Sequence, residues 1–125
     1  DGNTMYLISK RWKMMWIFDL DAMTYERFST EHGAFDGRPD QVKRVLADDD
    51  DDEDGDAMLY FTEEGGSDAG IHGRNRLGQF FTILEGPGMP DETTGLAFSP
   101  DGMHMLVAFQ NNGYVFVITR DDGLP

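Results

Sequence analysis

The sequence has no cysteine, few basic residues and no long run of apolar residues. The absence of cysteine excludes disulfides, zinc–thiolate sites and cysteine nucleophiles from these residues. Ten basic residues against 24 acidic ones give a net charge of -14. Such a charge repels phosphate backbones, so we expect no nucleic-acid partner. No apolar segment is long enough to span a bilayer, so we expect no membrane span. The residues leave the cellular location open.

An internal repeat is the main signal that is present. The pattern Asp-Gly-x-x-Met begins at residues 1, 54 and 101, so its copies are 53 and 47 residues apart. Four-stranded propeller blades repeat at roughly 40 to 50 residues. Each copy leads into an apolar segment of strand type, at residues 5–9, 58–62 and 105–109. Because these segments are apolar almost throughout, we expect both faces of each strand to be buried.

The rest of the pattern predicts an all-β chain. Further strands are expected at residues 14–20, 42–46, 70–74, 79–84, 96–99 and 114–120, with hairpin turns at 75–78 and 99–102. No sustained period of 3.6 residues favours helices. We therefore predict about three blades of a β-propeller, covering residues 1–38, 39–88 and 89–125, as part of a longer chain. A plain β-sandwich is the alternative.

The most acidic segment is residues 48–54, six Asp and one Glu. Such a segment cannot be packed in a core, so we expect an acidic loop over residues 48–56. A calcium cage there is the alternative. The spacing of an EF-hand with its terminal Glu is missing, which favours the solvated loop.

Four carboxylates stand near predicted strand ends, where function usually lies: Asp40, Glu63, Glu64 and Glu92. If they converge, they supply the hard oxygen ligands that Ca²⁺ or Fe³⁺ prefers. The alternative is that each carboxylate only caps a turn.

A second pair could bind an anion. His72 and Arg74 flank Gly73, and side chains two residues apart on a strand share a face. Together they predict a phosphate-binding pair. A purely structural role for His72 is the alternative.

Three stretches resemble one family. Residues 60–66 (YFTEEGG), 71–74 (IHGR) and 92–102 (ETTGLAFSPDG) are similar to the PhoX-type alkaline phosphatases and their DUF839 relatives, as is the RPDQV step at 38–42. The resemblance implies a six-bladed propeller whose channel holds calcium and iron. It also implies hydrolysis of phosphomonoesters, in the periplasm or outside the cell.

By the same resemblance, Glu63 and Glu92 match metal-binding glutamates of the family, Asp40 matches a further ligand, and Glu64 stands where the family has Asp. The bound cations would polarise the phosphoryl group of a small phosphate ester. Two alternatives remain open: a non-catalytic, calcium-stabilised binding propeller, and a calcium-dependent lactonase. In each case the remaining blades of a longer parent chain are the expected partners.

Overall fold

The chain folds into three antiparallel sheets that follow one another in sequence. The computed structural model describes residues 2–31, 34–45, 58–86, 88 and 91–121. The first sheet is β1 (Thr4–Ser9), β2 (Met14–Asp19) and β3 (Thr24–Ser29). The second is β4 (Arg38–Val45), β5 (Met58–Glu64), β6 (Ile71–Arg74) and β7 (Phe80–Leu84). The third is β8 (Thr93–Phe98), β9 (His104–Phe109) and β10 (Tyr114–Thr119).

Every element in the described part of the chain is a strand, which confirms the all-β prediction. In all three sheets the strands pair in chain order. Those described ranges contain no helix of the length and apolarity needed to cross a membrane. The acidic loop predicted at 48–56 and the Asp-Gly pair at 54–55 lie outside the described residues.

Two predicted hairpin turns are confirmed. In the turn between β8 and β9, the Gly102 amide donates to the Ser99 carbonyl at 3.0 Å, and the φ of Gly102 is 68°. The turn between β6 and β7 has the same form, with the Gly78 amide on the Asn75 carbonyl at 3.0 Å and a φ of 80°. Glycine adopts these positive φ values without the clash of a Cβ, which is why both turns end on it.

The first strands of the second and third sheets share an irregularity. In β4 the pairing register shifts between Pro39 and Val42, and in β8 it shifts between Thr94 and Ala97. A β-bulge turns side chains away from the regular alternation. Both strands begin earlier than the sequence predicts, at Arg38 and Thr93, because pairing resumes beyond the bulge.

The three sheets contain corresponding strands. The segments that follow the Asp-Gly-x-x-Met positions are β1, β5 and β9, and β4 precedes β5 as β8 precedes β9. Strand β4 lies beside β1 of the first sheet and beside β8 of the third. The middle sheet therefore packs between the other two.

Two apolar clusters fill the spaces between the sheets. The first and second sheets enclose Met15, Phe35, Leu59 and Phe61. The second and third sheets enclose Ile71, Leu96, Met105, Val107 and Phe109. Burying each large apolar side chain stabilises the fold by about 1.5 to 3 kcal/mol.

Burial on both faces, as predicted from sequence, holds for β5 and is wrong for β1. In β5, Phe61 on one face and Thr62 on the other are fully buried. In β1, Met5 and Leu7 are 43% and 47% exposed. The reason is position, because within the described chain the middle sheet has a sheet packed on each face, whereas the first sheet has one on a single face.

Candidate functional site

Three acidic side chains converge on one lysine. The Lys10 Nζ lies 2.6 Å from Asp40 Oδ1, 3.2 Å from Glu64 Oε2 and 3.5 Å from Glu92 Oε1. Asp40 and Glu92 are largely buried, whereas about a third of Glu64 and Lys10 is exposed. The structure thus brings together three of the four carboxylates singled out in the sequence, and we name this group the Lys10 cluster.

Backbone pairing fixes where these carboxylates lie. Glu64 ends β5, and Glu92, just before β8, pairs with it in an antiparallel bridge. The Gly65 amide adds a hydrogen bond to the Asp91 carbonyl at 2.5 Å. Asp40 lies in the bulge of β4, which re-aims its side chain toward the same point. The ends of the second and third sheets are therefore joined at the cluster.

Glu92 is oriented by a neighbour from the third sheet. The Gln110 side chain donates to Glu92 Oε2 at 3.0 Å, and the Gln110 amide donates to the Glu92 carbonyl at 3.0 Å. One carboxylate oxygen is held in this way while the other faces Lys10. The position of this side chain is thus set before any ligand arrives.

The pKa shifts indicate an excess of negative charge at the cluster. Burial raises the pKa of Glu92, its hydrogen bond with Asp40 raises it further, and the charge of Lys10 opposes them. Burial by itself would lower the pKa of Lys10, but hydrogen bonds to Asp40 and Glu64 outweigh it and raise that pKa. One ammonium faces three carboxylates, so a further cation would be stabilised here.

Glu63 lies elsewhere, in a fully buried network. Its Oε1 accepts a hydrogen bond from the Gly37 amide at 2.6 Å, and its Oε2 accepts one from the Gly70 amide at 3.0 Å. His72 Nε2 lies 2.8 Å from the same Oε2, and His72 Nδ1 lies 3.2 Å from Thr82 Oγ1. Both carboxylate oxygens are therefore engaged within the protein.

Thr93 and Gly37 complete the hydrogen-bond network around Glu63. Thr93 Oγ1 accepts from the Glu63 amide at 2.8 Å and donates to the Gly70 carbonyl at 2.7 Å, which ties β8 to the second sheet. Gly37 approaches the chain closely, since a Cβ on it would lie 2.5 Å from the Glu64 carbonyl oxygen. Only glycine lets this amide reach Glu63.

The pair predicted to bind an anion is also buried. Arg74 is 8% exposed, and its guanidinium lies 4.3 Å from the ring centre of Phe28 and 5.7 Å from that of Phe80. Burial lowers the pKa of Arg74, against the charges of Glu26 and Tyr6. His72 and Arg74 thus pack between the first and second sheets, and neither belongs to the Lys10 cluster.

A second acidic group contains Glu63. Ligand atoms of Asp36, Glu63 and Glu85 lie within 4.8 Å of one another. Asp36 accepts hydrogen bonds from the Ser67 amide at 3.0 Å and the Ser67 hydroxyl at 3.2 Å. Burial opposes the shift, but these bonds lower the pKa of Asp36. The carboxylates of Asp36 and Glu63 are thus already held by protein donors.

A basic pocket that sequence reasoning missed adjoins the Lys10 cluster. It has a volume of about 480 Å³ and holds four of the ten basic residues in a chain of charge -14. It shares Lys10 and Glu64 with the cluster, and its lining is Lys10, Arg11, Trp12, Lys13, Glu31, Arg38 and Glu64. The signal in the sequence was the run KRWK at residues 10–13, the densest basic segment.

Comparisons of the chain with protein-family models, with curated proteins and with solved structures give no match. The resemblance to the PhoX-type phosphatases therefore stays a prediction.

Proposed function

We propose that this chain forms about three blades of a β-propeller that hydrolyses phosphate monoesters with the help of Ca²⁺. Three consecutive antiparallel sheets with corresponding strands support the propeller architecture. Residues 4–29, 38–84 and 93–119 would be the blades. The remaining blades would come from a longer parent chain.

The observation that carries the proposal is that the Lys10 cluster and the basic pocket are adjacent and have Lys10 and Glu64 in common. Asp40, Glu64 and Glu92 offer the oxygen ligands that Ca²⁺ takes in proteins, and Fe³⁺ favours the same donors. A bound Ca²⁺ would supply Lewis-acid polarisation of a phosphoryl oxygen. The Lys10 ammonium already occupies a cation position between these carboxylates.

The neighbouring basic residues suit the phosphate. Arg11, Lys13 and Arg38 line the pocket, whereas Asp40 and Glu92 do not. Arginine binds phosphate oxygens through two parallel N–H donors, which orients the group as well as attracting it. A phosphate monoester dianion would thus meet three positive charges beside the carboxylates, an arrangement that offsets charge developing in the transition state.

A non-catalytic, calcium-stabilised propeller is the second candidate. The observation in its favour is that the cluster joins all three sheets: Lys10 follows β1, Asp40 and Glu64 belong to the second sheet, and Glu92 precedes β8. A cation there would act as a staple and raise the stability of the fold. Among the described residues, no feature favours the lactonase alternative.

The test combines calcium binding with turnover. We expect Ca²⁺ to bind the chain by calorimetry and to raise its unfolding temperature. At a concentration 100 times the Kd, one site adds about 2.7 kcal/mol to the free energy of unfolding. For the longer parent chain we also expect hydrolysis of p-nitrophenyl phosphate that ends on chelation and returns with Ca²⁺, with or without added iron.

Matched variants locate the site. Asp40→Asn with Glu92→Gln should abolish calcium binding and hydrolysis, whereas Glu26→Gln on the exposed strand β3 should change neither. Arg38→Gln should weaken binding of inorganic phosphate, and Arg27→Gln should not. Calcium binding without hydrolysis would favour the non-catalytic, calcium-stabilised propeller. Absence of calcium binding would overturn both candidates.

A further inference from the structure

A second cavity lies between the second and third sheets, at the opposite end of their strands from the Lys10 cluster. Its volume is about 800 Å³. Strand β5 starts there at Met58 and ends at the cluster with Glu64, and β8 starts beside Glu92 and ends in the cavity with Phe98. At about 3.3 Å per residue the two sites are about 20 Å apart. We name this cavity the intersheet groove.

The floor of the intersheet groove is apolar and aromatic. Tyr60 and Phe98 lie with ring centres 4.7 Å apart, and Met58, Met105 and Ile118 complete the floor. Flat rings and thioethers offer polarisable surface that adapts to different apolar ligands. The groove therefore offers an apolar body a place to be buried.

Its rim is basic, in a protein that is strongly acidic. Lys43, Arg44 and Arg120 line the groove, against a net charge of -14 for the chain. Burial raises the pKa of Tyr60 and the charge of Arg120 opposes this shift, so the guanidinium acts directly on the phenol at the floor. Positive charge is thus concentrated next to apolar surface.

Among the described residues of the lining, the one acidic side chain is engaged locally. The Asp101 carboxylate accepts hydrogen bonds from the Ser99 hydroxyl at 2.5 Å and from the Met103 amide at 3.1 Å. These bonds lower the pKa of Asp101 and use the carboxylate to shape the turn. Within the described residues, Lys43 and Arg44 have no carboxylate partner. The described part of the lining therefore carries more positive than negative side chains.

We propose that the intersheet groove binds a small organic anion with an apolar body, such as an alkyl or aryl carboxylate. The body would lie on Tyr60 and Phe98, and the anionic head would face Lys43. The volume falls within the roughly 300 to 1,000 Å³ of small-molecule sites. This site is independent of the proposed phosphatase activity, because it shares no residue with the Lys10 cluster or the basic pocket.

The test compares two probes of matched length and opposite charge. By calorimetry, decanoate should bind the chain at least about tenfold more tightly than decyltrimethylammonium, which corresponds to about 1.4 kcal/mol. Lys43→Gln should weaken decanoate binding by about tenfold, since it removes a charge-assisted contact. Arg27→Gln, a basic residue on the exposed strand β3, is the control and should have no effect.

Two further variants separate the groove from other apolar surfaces. Lys43 pairs with Tyr60 across β4 and β5, so Lys43→Glu places a negative charge beside the aromatic floor. We expect decanoate binding to fall by more than about tenfold with an unchanged unfolding temperature. Val117→Ser, at an exposed position of β10, should leave decanoate binding unchanged. Equal affinity for both probes, or binding that Lys43→Glu leaves intact and Val117→Ser weakens, would mean adsorption elsewhere, for example on exposed Val115 and Val117, and would overturn the proposal.

Discussion

Glu63 and Glu64 are neighbours in sequence and lie in opposite environments. Glu63 is fully buried and receives hydrogen bonds from Gly37 and Gly70 and a contact from His72. Glu64 is about one-third exposed and shares Lys10 with two other carboxylates. The first region is a closed polar network, and the second is an open cluster with surplus negative charge.

The difference between the two regions indicates two roles, one that stabilises the fold and one that binds a ligand. Buried polar groups are tolerated when every donor and acceptor is paired, and the Glu63 network meets that condition at each carboxylate oxygen. The Lys10 cluster keeps like charges close together, which costs stability unless a cation offsets it. We therefore assign structure to the Glu63 network and ligand binding to the Lys10 cluster.

The largest expected effect is from Glu63→Ala. This change would leave the Gly37 and Gly70 amides and His72 Nε2 without their buried acceptor, at about 1 to 3 kcal/mol each. We expect urea unfolding to show a loss of about 3 kcal/mol or more. Glu64→Ala is the matched control and should change stability by less than about 1 kcal/mol. Equal losses in the two variants would contradict the distinction between the two regions.

A smaller effect is expected from Lys10→Met. Removing the ammonium leaves three carboxylates without their shared cation, so the free energy of unfolding should fall by about 1 kcal/mol in the absence of Ca²⁺. Calcium should then stabilise the variant more than the unmodified chain, because no ammonium competes for the carboxylates. Thermal unfolding with and without Ca²⁺ measures this. Lys13→Met, in the same turn, should keep the calcium response of the unmodified chain.

The smallest effect is a pH dependence centred on Glu92. Its pKa in the folded chain is above the ordinary value of 4.5, so the folded state holds this proton more tightly than the unfolded state. The contribution of Glu92 to stability is therefore full below 4.5 and is lost as pH rises through the raised pKa. Calcium affinity should rise over the same window, by at most about tenfold per pH unit for one proton.

Urea unfolding across this pH range, compared between the unmodified chain and Glu92→Gln, isolates the contribution. Above the raised pKa of Glu92, the free energy of unfolding should change with pH at the same rate in the two proteins. A stability that rises with pH through this window, by the same amount in both proteins, would show that burial and Asp40 do not raise the pKa of Glu92.

Local sequence was sufficient for most strands and turns. Apolar segments bounded by Gly, Asp and Pro predicted nine of the ten strands, and Asn75 to Gly78 and Ser99 to Gly102 formed the expected turns. Strand β3 was missed because its centre is Glu26 and Arg27, so it lacks the apolar run that marks the others. It forms because β2 offers an edge to pair with.

The candidate site was predictable only in part. Proximity to strand ends was enough to select Asp40, Glu64 and Glu92, but it also selected Glu63, which the structure buries in another network. Lys10 and the basic pocket were missed because Lys10, Arg11 and Lys13 come from the β1–β2 turn, remote in sequence from the acidic residues. The spacing of residues along the sequence does not give the distance between Lys10 and the carboxylates in the folded chain.

The sequence by itself determined the repeat, the all-β class and the turn positions, because these depend on local propensity and on glycine at positive φ. It also determined that Glu63 and Glu64 face opposite sides, since side chains alternate along a strand. Only the tertiary structure decided which side is buried. That choice depends on the bulge in β4 and on the sheets packed against β5, so it requires contacts between residues distant in the chain.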